Sequence, residues 1–267
     1  MSIQTLYTAA TGMESLQTKL DVIANNLANV NTTGFKKGRA NFEDLFYRNY
    51  KYPGSADQNN NLTATGTAVG LGSRVQSVQT SQQQGAFQVT NGQYDLAIEG
   101  QGYFQVTDPA TGQQLYTRAG NFSINANNEL VLGSASSGKK LFPQVTLTQG
   151  DTNFTVAPDG QISVTNAGST TPVNVVQLQL ATFQNPEGLL KLGDNLYAAT
   201  ESSGTPQPNT PGLQGAGQVR QGALEASNVE PVQELIDLIT TQRSFELNSQ
   251  AIQAGDQILQ LISNLRR

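Results

Sequence analysis

The sequence predicts an α+β protein: N- and C-terminal helices pairing as a coiled coil, an antiparallel β-rich middle domain, and an extended arm. Three observations predict this. Apolar residues recur at heptad spacing near both ends of the chain. The period changes to two across the long middle. Residues 47–72, YRNYKYPGSADQNNNLTATGTAVGLG, follow neither period.

At the N-terminus, Leu6, Met13, Leu20 and Leu27 form one row spaced by seven, and Ala9, Leu16, Ile23 and Val30 form a second. Together they alternate three and four apart, the a/d seam of paired helices. A helix from about Gln4 to Val30 is expected, with Gly34 as its C′ residue and Lys36, Lys37 and Arg39 beside the negative end of its dipole. At the C-terminus, Leu238, Phe245, Ile252 and Leu259 repeat every seven, flanked by Leu235 and Ile262, with Gln242, Ser249 and Asp256 as interleaved polar layers. Ser227 with Glu230 reads as a capping box, with Asn228 as the alternative cap; Pro231 suits a first helical turn, and Arg266 and Arg267 suit a helix end. These seams pack either inside their own domain or between copies of the chain. A narrow a/d stripe favours the second.

Between the helices, segments such as DLAIEG, GYFQVTD, FTVAPDGQISVT and VNVVQLQLATF alternate apolar and polar residues, from about residue 73 to 220. Asn127-Asn128 and Asp159-Gly160 mark hairpin turns. SSGTPQPNTPGLQGAG, residues 202–217, reads as a linker. The expected organisation is therefore 1–46 for the N-terminal helix and its exit, 47–72 for the arm, 73–226 for the β-rich domain and 227–267 for the C-terminal helix.

Composition narrows the chemistry. The chain contains no Cys and no His, so thiolate chemistry and the commonest general base and transition-metal ligand are absent. Charged residues are only 13% and the net charge is −5, which argues against a nucleic-acid partner. The acidity is concentrated: residues 73–227 carry ten acidic and six basic side chains, against five and six in residues 1–72. No stretch approaches the roughly 18 apolar residues of a membrane span, and the first residues lack the pattern of a secretory signal. Gly70-Leu71-Gly72 and Gly100-Gln101-Gly102 open no helix and read as turns rather than phosphate loops. Asn31-Thr32-Thr33 matches a sequon of no weight. Asp159-Gly160 lacks the spaced acids of a calcium loop, and Asp95 with Glu99 lacks an aromatic cleft. No catalytic, metal or cofactor residue is assigned, and the N-terminal helix lacks the basic face of a membrane-surface helix.

Four stretches carry a resemblance. DVIANNLANVNTTGFKKGRANFEDL, residues 21–45, resembles the rod–hook signature of bacterial flagellar axial proteins. DLAIEGQGYFQV (95–106) and YTRAGNFSINANNELV (116–131) are similar to that family's β-domain core, and SNVEPVQELIDLITTQRSFELNSQAIQAGDQILQ (227–260) to its C-terminal helix. The arm, the length and the tail around residues 195–229 resemble the distal-rod branch; residues 134–153 match less clearly.

The resemblance implies a structural, non-enzymatic subunit that polymerises helically into the distal rod of the flagellar basal body, the shaft carrying torque from motor to hook. Implied partners are further copies, proximal rod proteins, the hook protein, the surrounding ring proteins of the outer membrane and peptidoglycan, and the flagellar type III export apparatus. The heptad residues would form an inner tube and the arm would bridge subunits and oppose bending. Asn25, Asn26, Asn29, Thr33, Gly34 and Phe35 constitute the motif. The asparagines are placed to satisfy backbone groups at a packed helix end, Gly34 to allow the turn, and Phe35 to anchor the exit in a neighbour. An ordinary helix C-cap is the plainer reading. A proximal rod protein with a β domain, or a secreted module binding cell-wall glycan, are the alternatives.

Overall fold

The computed structural model describes residues 3–54, 64–133, 138–147, 151–166 and 173–265. Arg266, Arg267 and arm residues 55–63 lie outside them, as does the side chain of Ile262. The chain divides into two compact units: residues 1–28, 38–80 and 230–267 form one, and residues 29–37 with 81–229 the other. Contacts thus place the polar exit segment with the β-rich unit, and the base of the arm with the helices.

The first unit holds α1 (Ile3–Ala28), α2 (Pro231–Leu265) and four strands: β1 (Gly38–Asp44), β2 (Tyr47–Lys51), β3 (Thr67–Gly70) and β4 (Ser73–Thr80). The helices pack along each other. Asn26 meets Glu234, and a Cβ on Gly12 would sit 3.3 Å from the Asn248 amide. Both pairs of residue numbers sum to 260, so the helices run antiparallel in constant register. α1 ends at Ala28, two residues short of expectation, which leaves Val30 in a turn beyond the helix. Gly34 is therefore not its C′ residue, and no basic residue lies in its last turn. At the start of α2, the Ser227 hydroxyl accepts from the Val229 N–H at 3.3 Å, an ST turn in place of the capping box.

β1 pairs antiparallel with β4, and β2 with β3. The Leu45 N–H donates to Gly72 O and the Leu71 N–H to Phe46 O, at 2.9 and 3.0 Å, joining the two ladders. The result is one two-stranded ribbon whose strand from Gly38 to Lys51 extends about 45 Å at the usual rise per residue. Its base packs on α1: the Ser15 hydroxyl donates to Ser73 O at 3.3 Å, and a Cβ on Gly38 would touch Val22 and Val78. The described part of the arm is thus paired strand rather than loop. Every residue of β2 is exposed.

The second unit is built of β5 (Phe87–Val89), β6 (Leu96–Glu99), β7 (Tyr103–Thr107), β8 (Gln114–Thr117), β9 (Phe122–Ile124), β10 (Leu130–Leu132), β11 (Lys139–Phe142), β12 (Asp151–Val156), β13 (Gln161–Asn166), β14 (Val173–Gln177), β15 (Leu180–Thr182), β16 (Leu190–Gly193), β17 (Leu196–Ala198), β18 (Gln207–Asn209), β19 (Gln218–Gln221) and β20 (Ala223–Glu225). Among the described residues, nine of these join one antiparallel sheet around the path β16-β17-β8-β7-β11-β10-β9, and β12-β13-β14 form a three-stranded meander. The expected turns are present: Asn128 has φ +58° between β9 and β10, and Gly160 has φ +80° between β12 and β13. The core collects inward-facing residues of period-two strands, including Leu96, Ile98, Phe104, Val106, Ile162 and Leu180. A second cluster joins Tyr103, Tyr116, Tyr197 and Phe183 edge to face.

Candidate functional site

The residues expected to carry assembly fall into a helical face and an exit segment. On α1, Ile23 is buried, and Leu6, Ala9, Met13, Leu16, Leu20 and Leu27 are half-buried. On α2, Leu238, Phe245, Ile252 and Leu259 are half-buried, while Leu235 is 45% exposed. The polar layers of α2 differ in part from the expected ones. Thr241 and Gly255 are buried and Asn248 and Ser249 half-buried, whereas Gln242 and Asp256 are exposed. Residues three and four beyond Leu238 both lie near one helical face, and burial puts Thr241 rather than Gln242 on the packed side. Small side chains at these layers, with Gly12 facing Asn248, allow a close helix approach. A second apolar stripe on the opposite face of α2 is exposed: Val232, Ile236, Ile239, Leu247 and Leu261.

Asn26 acts as a bidentate clamp within the helical unit. Its Nδ2 donates to Gly38 O at 2.9 Å and to Glu234 Oε2 at 3.1 Å, and its Oδ1 accepts the Gly38 N–H at 2.8 Å. Asn26 is 2% exposed, so these bonds form without competition from water. Asn25 is exposed.

Within the β-rich unit, the exit segment is fixed residue by residue. The Thr32 hydroxyl donates to Asn29 Oδ1 at 3.1 Å and Asn195 Nδ2 to Thr33 O at 3.2 Å. Gly34 has φ +69°, and its N–H donates to Glu225 O at 2.8 Å; a Cβ there would stand 2.7 Å from the Ala119 nitrogen. Only glycine fits both demands. Phe35 is half-buried against its own chain, with Lys191 Nζ 5.7 Å from its ring centroid. Asn228 completes the arrangement. Its Oδ1 accepts the Lys37 N–H at 2.8 Å, and its Nδ2 donates to Ser81 O and Gln83 O at 3.1 and 3.0 Å.

Lys36, expected beside the negative end of the α1 dipole, is 1% exposed. Its Nζ donates to Glu225 Oε1 at 2.6 Å and to Gln83 O at 2.7 Å. The same carboxylate oxygen accepts the Gly85 N–H at 3.0 Å, and Arg118 Nη1 lies 3.5 Å from Oε2. Burial holds the Lys36 ammonium below its ordinary pKa, opposed by the Glu225 charge. Sequence reasoning missed Arg118, Glu225, Glu234 and Asn228. The one local signal was a carboxylate ending the apolar strand Ala223-Leu224.

No group of metal-ligating side chains occurs among the described residues, and no described helix is long and apolar enough to cross a membrane.

Comparison with known proteins adds to this geometry. Residues 6–36 match the family model described as flagella basal body rod protein, residues 97–164 that of the flagellar hook protein FlgE/F/G D1 domain, and residues 220–265 that of the flagellar basal body rod FlgEFG protein C-terminal region. The chain is 41% identical over 263 residues to the flagellar basal-body rod protein FlgG of Buchnera aphidicola from Acyrthosiphon pisum, covering 98% of this chain and 100% of that one. It is 41% identical over 267 residues to FlgG of Borreliella burgdorferi, covering 99% of each. The identity to FlgG of Caulobacter vibrioides is 42% over 265 residues, covering 99% and 100%. The clamped exit segment and the antiparallel helix pair are thus features of a chain that belongs to the flagellar basal-body rod protein family.

Proposed function

We propose that the chain is a structural subunit that polymerises helically into the distal rod of the flagellar basal body, transmitting torque from motor to hook. The observation that carries this reading is α2: its one face packs on α1 while Val232, Ile236, Ile239, Leu247 and Leu261 remain exposed on the other. Burying such a side chain is worth about 1.5–3 kcal/mol, so a stripe repeated in every copy supplies a strong lateral contact. The heptad residues of α1 and α2, from Leu6 to Leu27 and from Leu238 to Ile262, build the inner tube. The ribbon tip, with Phe46, Tyr47, Tyr50 and Tyr52 exposed, bridges subunits. The β-rich unit faces outward, toward the ring proteins. Proximal rod proteins, the hook protein and the type III export apparatus are the further partners.

Sedimentation and electron microscopy of concentrated protein test this reading. Helical polymers that grow with concentration are expected; a monomer at every concentration overturns it.

A further inference from the structure

The loop between β5 and β6 carries Asn91-Gly92, the single Asn-Gly pair in the chain. Among the described residues, three asparagines hold a positive φ: Asn91 at 56°, Asn128 at 58° and Asn195 at 60°. Two of them are committed. Asn195 spends its amide on Thr33 O at 3.2 Å, and the nitrogen that follows Asn128 donates to Asn125 Oδ1 at 2.8 Å. Asn91 differs on both counts. Its side chain is exposed and its amide has no hydrogen-bond partner among the described residues. The residue after it has no side chain to keep the next backbone nitrogen away.

That nitrogen sits at the head of a relay. The Gly92 N–H donates to Thr90 Oγ1 at 3.3 Å, and the Thr90 hydroxyl donates in turn to Asp95 Oδ2 at 2.5 Å. The Asp95 carboxylate fills the space that a Cβ on Gly92 would need. Nitrogen, hydroxyl and carboxylate thus form one line along which a proton can pass. The order is that of nucleophile, proton acceptor and orienting group in acyl-transfer sites. The frame around it is held from β19 and β20. The Thr90 and Asn91 N–H groups both donate to Gly222 O, at 3.0 and 3.2 Å, and the Gly222 N–H donates to Asp95 O at 2.8 Å. None of these bonds uses the Asn91 side chain, which stays free to turn toward Gly92.

We propose that Asn91 is a self-modifying site, at which the Gly92 nitrogen attacks the Asn91 side-chain carbonyl carbon and the amide is converted to an acid. The new N–C bond forms as the Gly92 proton passes through Thr90 to Asp95. The same proton returns to the departing amide nitrogen, its C–N bond breaks, and ammonia leaves behind a cyclic succinimide. Water then opens the ring. Opening at the side-chain carbonyl yields aspartate; opening at the main-chain carbonyl yields isoaspartate, whose backbone is longer by one methylene. Nucleophile and electrophile lie on adjacent residues, so no encounter is needed. Thr90 touches the reacting nitrogen, and Asp95 acts through Thr90 as a positioning residue. Thr90 and Asn91 are both exposed, so water reaches the ring. Either product adds a carboxylate beside Asp95, in the acidic part of the chain.

The test incubates the intact protein at neutral pH in heavy-oxygen water. The peptide spanning residue 91 is then followed by mass spectrometry, with electron-transfer fragmentation to tell isoaspartate from aspartate. Acidic product at Asn91, carrying one heavy oxygen, is expected to accumulate faster in the folded protein than in the guanidinium-unfolded chain. A positioned proton acceptor is worth a factor of about ten or more, so Thr90→Val is expected to slow the folded protein by that factor. Thr90→Ser, which keeps the hydroxyl, restores the rate, and Asp95→Asn lowers it. An intact Asn91, a folded rate at or below the unfolded one, or equal rates in wild type and Thr90→Val overturns the proposal. The folded and unfolded wild-type rates decide this even where a variant fails to fold.

Discussion

At the residue scale, the chemistry of the β-rich unit centres on Glu225. Its carboxylate is fully buried between Lys36 and Arg118, with a backbone N–H on the oxygen that Lys36 also uses. Removing one member of a buried ionic cluster leaves uncompensated charge, at a cost of about 3–5 kcal/mol. Glu225→Ala is therefore expected to lower unfolding free energy by that amount in urea melts; a loss under about 1 kcal/mol contradicts the cluster's role. Tyr103 provides a second, pH-dependent prediction. Burial pushes its hydroxyl up from 10.0 to about 12, against the pull of Arg118. Between those values the unfolded chain releases a proton that the folded chain keeps, so stability falls as pH rises through this window. In Tyr103→Phe that part of the slope disappears, which urea melts at paired alkaline pH values will detect. An unchanged slope refutes the assignment.

At the scale of elements, the two helices were legible because heptads are local: each row of Leu6 to Leu27 or Leu238 to Leu259 declares itself within one segment. The hairpins at Asn128 and Gly160 were legible for the same reason, since a positive φ demands particular residues. Two polar layers of α2, Gln242 and Asp256, were placed one residue past the buried Thr241 and Gly255, because both three- and four-residue steps keep near one face and only burial separates them; Ser249 is half-buried. The ribbon from β1 to β4 was only half legible. Its paired strands β1 and β4 lie far apart in sequence, and its outer part, β2 with β3, is exposed on both sides, so the period-two signal vanishes there. Lys36 and Glu225 are separated by 189 positions, and no local pattern joins them. Asn26 belongs to this scale too, because it ties α1 to β1 and α2. Asn26→Ala strands the N–H and C=O of Gly38, each orphaned group costing about 1–3 kcal/mol. Calorimetry is expected to show a clear loss of thermal stability in that variant, whereas Asn25→Ala, altering an exposed position, leaves the melting temperature close to wild type.

At the scale of the whole molecule, the exposed stripe of α2 separates folding from assembly. Ile236 and Ile239 are 49% and 55% exposed, so lysine at both positions is tolerated by the free chain. The double variant Ile236→Lys, Ile239→Lys is expected to keep wild-type far-UV dichroism and to sediment as a monomer at concentrations where wild type forms polymers. Polymerisation at the wild-type threshold rules out the stripe as a contact.

The chain enters the β-rich unit twice, after Ala28 and Thr80, and leaves it twice, after Lys37 and Val229, and both described ends, Ile3 and Leu265, belong to the helical unit. In mechanical terms, this wires the β-rich unit in parallel rather than in series. Within that unit, Asn228 spreads any pull on the segments at Lys37, Ser81 and Gln83 among them. Tension on the two ends follows another path. It meets an antiparallel helix pair at its open end and peels it turn by turn. A pull on the two ends therefore opens the helical unit one turn at a time, as a zipper opens from its free end.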